Sequence, residues 1–400
     1  MEGAMSLKRN IKLIKAHTVC SNMLFMLPVI VPYYNSIGLT FRDFLIGEAV
    51  FSASVLLCEV PSGWISDVWR RKTTLMIGAL LFVGGCCGLM LANGFWAATF
   101  MQVIFGVSIA LGSGTNTALL YDSLADAGRE EEYRRIDGNR HGAGIYGTAV
   151  ACMAGALLFA VDPKLPLLFD AVIMIIAMII VACIDEPHRH KKSVERHMFH
   201  DMWMTMKYAL SGHPEITGII ILSTVIFATT KLMLWAQQPF YMMIGVPVEW
   251  FGFILTAAYI IGGIAAQFGH CLEKRFGNRT ALGFTAGTLV ASCFLLVMLP
   301  PLWIAMPLFL TGTLTYAICS PRINNAINSR VGSERRATVL STANLMVHFL
   351  FIPSSVLVGY LSEHGGIQLS LAWMGGQLLV LSALGLWLWS RQTIRSRVPA

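Results

Sequence analysis

Residues 219–241 read IIILSTVIFATTKLMLWAQQPFY, and their single charged residue is Lys231. As an α-helix such a run extends about 34 Å at ~1.5 Å per residue, enough to cross ~30 Å of hydrocarbon. An ammonium near the centre of a membrane helix costs roughly 2.5–3.5 kcal/mol to insert. Charges of this kind persist where they face a water-filled cavity or a partner, which makes Lys231 a candidate for a substrate or ion pathway. The competing reading is a lysine that snorkels to the interface or pairs within a helix seam.

Runs of the same kind recur along all 400 residues, of which 56% are hydrophobic and 13% charged. Twelve are read, at about 11–37, 42–67, 73–93, 96–122, 138–161, 165–184, 216–242, 249–271, 280–300, 302–327, 337–362 and 368–390. They must be helices, because in lipid each backbone N–H and C=O has to be satisfied within its own segment. A β-barrel would instead show alternating strands of ~10 residues. The expected fold is therefore an all-α membrane protein with twelve transmembrane helices. Lys8, Arg9, Lys12 and Lys15 open the first span, which lacks a small-residue cleavage site and is not read as a cleaved signal. The nine cysteines lie almost wholly inside apolar runs and show neither disulfide-framework nor zinc spacing.

Of the 29 lysines and arginines, only Arg42, Lys164 and Lys231 fall outside the termini and alternate loops that share one membrane face. The positive-inside rule makes that face cytoplasmic, with both termini on it. Topology thus accounts for the net charge of +7, and nucleic-acid binding is an unnecessary hypothesis.

The apolar pattern breaks once. Residues 187–213 carry His188, Arg189, His190, Lys191, Lys192 and Arg196, then Phe199, Trp203, Met206 and Leu210 at helical spacing. This segment reads as a basic cytoplasmic linker with an amphipathic helix on the membrane face. Its histidines sit among cations, which disfavours a metal site. The linker divides the chain into 1–186 and 214–400, six spans each. The halves carry matching loops: Gly63-Trp-Ile-Ser-Asp67-Val-Trp-Arg70-Arg71-Lys72-Thr-Thr-Leu75 in the first, Lys274-Arg275-Phe-Gly277-Asn-Arg279-Thr-Ala-Leu282 in the second. Two pseudo-symmetric six-helix bundles with a site between them is a known transporter plan.

The first of these loops resembles the signature of the major facilitator superfamily, roughly Gly-x-x-x-Asp-Arg-x-Gly-Arg-Lys-x-x-Leu. Gly63, Asp67, Arg71, Lys72 and Leu75 match, while Val68 stands for the usual arginine and Arg70 for the usual glycine. Glu59-Val-Pro61-Ser-Gly63, Ala118-Leu-Leu-Tyr121-Asp122-Ser and Glu334-Arg-Arg336-Ala-Thr338-Val-Leu-Ser341 resemble bacterial exporters of that superfamily. The resemblance implies a gating relay of Gly63, Asp67, Arg71, Asp122 and Arg336 that latches one conformational state. The alternative is a solvated ion pair worth ~0–1 kcal/mol.

The resemblance also implies a cavity lined by spans 1, 4, 7 and 10. On those spans lie the substrate-contact candidates Asn22, Tyr34, Asn116, Thr230, Lys231, Thr315 and Tyr316. A hydrogen-bonding lining with one fixed cation suits an anionic or zwitterionic solute. For proton coupling the candidates are Glu59 and His348: a carboxyl in an apolar wall loads a proton near neutral pH, and histidine titrates there. Each has an equal structural reading as a side chain hydrogen-bonded between helices, and for Glu48, nearer the outer edge, that reading prevails. Arg140 and Arg322 either draw anions to the cytoplasmic mouth or anchor topology.

Proton-driven drug exporters usually carry an arginine four residues before Gly106, where this chain has Gln102. Their helix-5 glycine–proline signature lacks its proline. No phosphate-binding glycine loop and no nucleophile–base set appear, so neither ATP nor any other cofactor is expected and the chain is not read as an enzyme. The sequence reading is a monomeric secondary transporter in the bilayer of a bacterial inner membrane. It exports a small polar or anionic metabolite, such as a citrate-type siderophore, against protons. The alternatives are a multidrug/proton antiporter and, in a different class, a non-transporting sensor or assembly factor.

Overall fold

The computed structural model describes residues 2–186, 207, 213–331 and 336–395. The linker's proposed amphipathic helix lies outside the described residues, as do the side chains of Asp67 and Arg336. Every regular element described is a helix. They are α1 (Glu2–Asn22), α2 (Ile30–Ser36), α3 (Phe41–Val68), α4 (Arg71–Met90), α5 (Phe95–Ala125), α6 (Tyr133–Val161) and α7 (Leu165–Ala182), then α8 (Pro214–Met243), α9 (Glu249–Phe276), α10 (Asn278–Val297), α11 (Leu302–Asn328) and α12 (Arg336–Arg395). Among the described residues, nine helical stretches are long and apolar enough to cross a bilayer. Large apolar side chains such as Leu80, Phe100, Ile179, Phe284 and Val380 stand exposed, as a lipid-facing surface requires.

Local chemistry sets the helix ends. Thr40 and Asp43 form a capping box that opens α3: Asp43 N donates to Thr40 Oγ1 at 3.2 Å and Thr40 N donates to Asp43 Oδ2 at 2.9 Å. The 60-residue α12 is two helices that meet at Gly366, whose φ of 71° favours glycine. Arg70, standing where the superfamily signature has glycine, has φ −72° and ψ 134°, extended backbone open to any residue. Glycine is therefore not needed at that turn. In the second loop Gly277 has φ 72° and is needed.

The first span is interrupted. α1 stops at Asn22, a short 3₁₀ turn covers Leu27–Val29, and α2 follows. Pro28 and Pro32 lack the N–H groups that an unbroken ladder would use. α6 runs close along the break: Thr148 Oγ1 donates to Asn22 O at 2.8 Å, and a Cβ at Gly155 would clash with the Phe25 carbonyl.

Contacts group the chain into two compact units, Met1–Lys192 with Val246–Ile260, and Ser193–Gly245 with Ile261–Ala400. Residues 246–260 join the first unit through Thr256 Oγ1, which donates to Ala149 O at 2.7 Å, and through Gly252 against Cys152 and Ala156. In the second unit α8 is the most enclosed element. Of its apolar window 78% is buried, against 28–44% in the other candidate spans. α8 packs chiefly on α12, where Gly218 and Gly385 let the two backbones touch.

Candidate functional site

In the first unit the turn between α3 and α4 is tied down by charge. Arg71 Nε meets Asp122 Oδ2 at 2.7 Å, with both side chains largely buried. In so dry a setting a guanidinium–carboxylate bond is charge-assisted and directional. Glu186 accepts from the backbone N–H groups of Arg71 (2.8 Å) and Lys72 (3.2 Å), placing an anion on the N-terminus of α4. The reverse holds at the end of α7. Its last carbonyls take hydrogen bonds from Arg9 Nη2 at Cys183 O and from Lys72 Nζ at Ala182 O and Ile184 O. Asn10 adds a reciprocal pair with the backbone of Asp185, at 2.9 and 3.1 Å. Arg71 and Asp122 of the expected relay are thus in contact, while Gly63 sits within α3.

A second polar group of the first unit joins α1, α5 and α6. Arg140 is buried. Its Nη2 and Nε contact Asp137 Oδ1 at 2.6 and 2.9 Å, and its Nη1 donates to Thr18 Oγ1 at 3.1 Å. Arg140 therefore works inside the helix packing and is neutralised by a neighbour one turn away. His17, also buried, lies against Asn116 and within electrostatic reach of Arg140. Asn22 follows one turn after Thr18 and donates to its carbonyl at 2.8 Å. The candidates Asn22 and Asn116 thereby share one neighbourhood, through His17 and Thr18. Sequence reasoning passed over His17 and Asp137. An ionisable residue inside an apolar run, and an acid three residues before an arginine, were the available signals.

Tyr34 is buried, and its hydroxyl accepts from Gln102 Nε2 at 3.0 Å, near the buried Glu48. Gly47 admits Gln102 to this contact. Gln102, in the position of the exporter arginine, is therefore a partner for a tyrosine. Glu59 is half-buried on α3.

In the second unit Lys231, on the enclosed α8, is half-buried. Its Nζ stands 4.0 Å from the centroid of the Phe351 ring. Such a cation–π contact contributes about 0.5–2 kcal/mol, the more the drier it is. His348 lies one turn before Phe351 on α12 and within electrostatic reach of Lys231. Lys231 and His348, proposed for different duties, thus stand together, and Phe351 was not foreseen. Thr230 Oγ1 donates back to Phe227 O at 2.9 Å, and Thr315 is buried. Tyr316 is 55% exposed and meets the Phe227 ring edge-on at 5.3 Å. Arg322 is buried on α11, and its carbonyl accepts from Asn278. At the start of α8, Glu215 binds Arg330 Nε at 2.5 Å and Trp389 Nε1 at 3.1 Å, fastening α8 to the turn after α11 and to α12.

Long apolar helices with ionisable groups buried between them define a multi-pass membrane protein. The chain belongs to the Major Facilitator Superfamily, whose profile matches residues 16–354. Solved structures show the same fold. A mutant of the nucleoside transporter NupG superposes with TM-score 0.82 at 14% identity, covering 96% of this chain and 99% of that one. The POT family transporter PepTSo gives 0.80 at 10% identity, covering 98% and 99%. A D-xylose–proton symporter gives 0.72 at 14% identity, covering 95% and 97%. Among curated protein sequences none matches this chain. Family and fold make it a membrane transporter and not an enzyme.

Proposed function

We propose that this transporter has twelve spans in two six-helix bundles, 1–186 and 214–400, joined by the basic linker 187–213. It works as a monomer by alternating access in a bacterial inner membrane, with both termini cytoplasmic. Its cargo is a small polar metabolite carrying a carboxylate, a citrate-type siderophore being the sharpest member of that class, exported as protons enter. The observation that carries this reading is the Lys231 ammonium held on the most enclosed helix beside His348 and the Phe351 ring. A carboxylate is a stronger partner for an ammonium than a ring face, because the pair is charge-assisted. The fold is compatible with proton coupling, since a proton symporter shares it. Gln102 bonded to Tyr34 removes one motif on which the multidrug alternative would rest.

The test is flux in proteoliposomes under an imposed pH gradient, with a radiolabelled citrate-type hydroxycarboxylate siderophore as probe. Wild-type protein should move the probe, and the Lys231→Ala variant, reconstituted to the same density, should fall to the empty-vesicle rate. Equal flux in the variant would remove Lys231 from the mechanism. Movement of several unrelated lipophilic cations instead would support the multidrug reading. Silence towards every solute tried would favour the sensor or assembly factor.

A further inference from the structure

Asp170 lies in the interior of α7, inside an apolar run, and is 2% exposed. Its carboxylate reaches the interruption of the first span. Phe25 N donates to Oδ1 at 2.7 Å and Met26 N donates to Oδ2 at 3.2 Å. These N–H groups belong to the stretch between α1 and the 3₁₀ turn, where the helical ladder is broken and water cannot substitute. α7 packs against α1, α4 and α6. The titratable groups facing Asp170 are the buried thiols of Cys86 on α4 and Cys152 on α6; α1 and the break present the two backbone N–H groups. Among the described residues no cation pairs with it. A carboxyl without a counter-charge, deep in a membrane bundle, is where a proton is most readily taken up.

The geometry points to Asp170 as a proton-binding site that controls the bend of the first span. This deepens the proton-driven reading above, and rests on it. As a carboxylate, Asp170 holds both N–H groups through charge-assisted bonds. A proton arriving on Oδ2 turns that oxygen from an anionic acceptor into a hydroxyl, and the longer bond to Met26 is the one lost. The joint between α1 and α2 then has one clamp instead of two. A conformation in which the joint has opened binds the proton more tightly, so protonation shifts the population towards it. Gly155 suits this role because it places the α6 backbone directly against the joint.

The experiment uses the full chain in lipid nanodiscs and needs no solute. Infrared difference spectra between high and low pH should show, among the protonated-carboxyl C=O bands, one component that is missing from Asp170→Asn and shifted in frequency in Asp170→Glu. Amide hydrogen exchange of residues 23–29, corrected for intrinsic pH dependence, should quicken about ten- to a hundredfold in the wild type as that band grows, the range expected for one charge-assisted bond. In Asp170→Asn, exchange should be fast throughout and independent of pH. Carboxyl bands identical in wild type and Asp170→Asn, or wild-type exchange at 23–29 that stays flat with pH, would show a permanent cap and overturn the proposal. The wild-type exchange profile decides even if a variant fails to fold. Since neither readout involves flux, this proposal can fail while the Lys231 experiment succeeds, and the reverse.

Discussion

Two glycines of α5 offer a controlled test of how closely the helices of the first unit are packed. A methyl group at Gly106 would lie 2.6 Å from Ser54 Cβ, 2.8 Å from Phe51 O and 3.3 Å from Val55 N, all on α3. Non-bonded carbon atoms are comfortable at about 3.5–4.0 Å, so α3 and α5 would have to separate by about 1 Å. Overpacking of this size costs typically 1–3 kcal/mol. At Gly112, further along the same helix, a methyl group meets nothing within 4 Å. Both substitutions gain the same ~1 kcal/mol of helix propensity, so their difference isolates the packing cost. Gly106→Ala should therefore be less stable than Gly112→Ala by about 1–3 kcal/mol. The assay is thermal unfolding of the two purified variants in one detergent, read by intrinsic fluorescence and by loss of monodispersity. A shift of about 2–4 °C per kcal/mol is usual for chains of 150–250 residues, and a longer chain shifts less. If Gly106→Ala unfolds at or above the midpoint of Gly112→Ala, the α3–α5 approach described here is wrong.

Other perturbations probe the charged turn. Asp122→Asn and Arg71→Ala should each lower the unfolding midpoint, and a double-mutant cycle should show coupling of about 1 kcal/mol, above the usual surface pair because both side chains are largely enclosed. Coupling near zero would reduce the pair to a solvated contact. Glu186→Ala should cost about 1 kcal/mol by uncapping α4 and should speed amide exchange at residues 71–74, with Glu186→Gln in between because it keeps an acceptor but loses the charge. Equal exchange in all three proteins would count against the cap.

The apolar runs, the odd lysine and the charged turn were readable because each is a local property of composition and spacing. Helix ends were less so. The fifth span was read from residue 138, whereas α6 begins at Tyr133. Hydropathy marks where lipid begins, and a helix can continue beyond it with polar residues such as Arg134 and Arg135. The first span was read as one run, 11–37, although Pro28 and Pro32 stood in it. Prolines show where a ladder weakens, but the partner that makes a break tolerable is Asp170, about 145 positions away. Asp170 itself carried the same signal as Lys231, a single ionisable residue in an apolar run. The sequence does not say that its partners are backbone N–H groups, because backbone donors are the same at every position.

The described charges of the first unit share a pattern. Glu186 holds the start of α4, Arg9 and Lys72 hold the end of α7, and Asp170 holds the interrupted first span. Each answers the same physical demand: a helix that stops or breaks leaves donors or acceptors that its own hydrogen-bond ladder cannot satisfy. Arg140 and Arg71, buried or nearly so, are matched to the carboxylates Asp137 and Asp122. In the second unit Glu215 and Arg330 answer one another at the start of α8. Lys231 differs in kind, for among its contacts is a ring face, a partner that gains less from the ammonium than a carboxylate does. Replacing that ring should therefore separate two duties. Phe351→Leu removes the quadrupole while keeping an apolar contact. If Phe351 merely parks the lysine, flux should survive with a raised KM. If the ring sets the position from which Lys231 meets cargo, kcat should fall as well. Unchanged values of both would show that the ring contact has no part in transport.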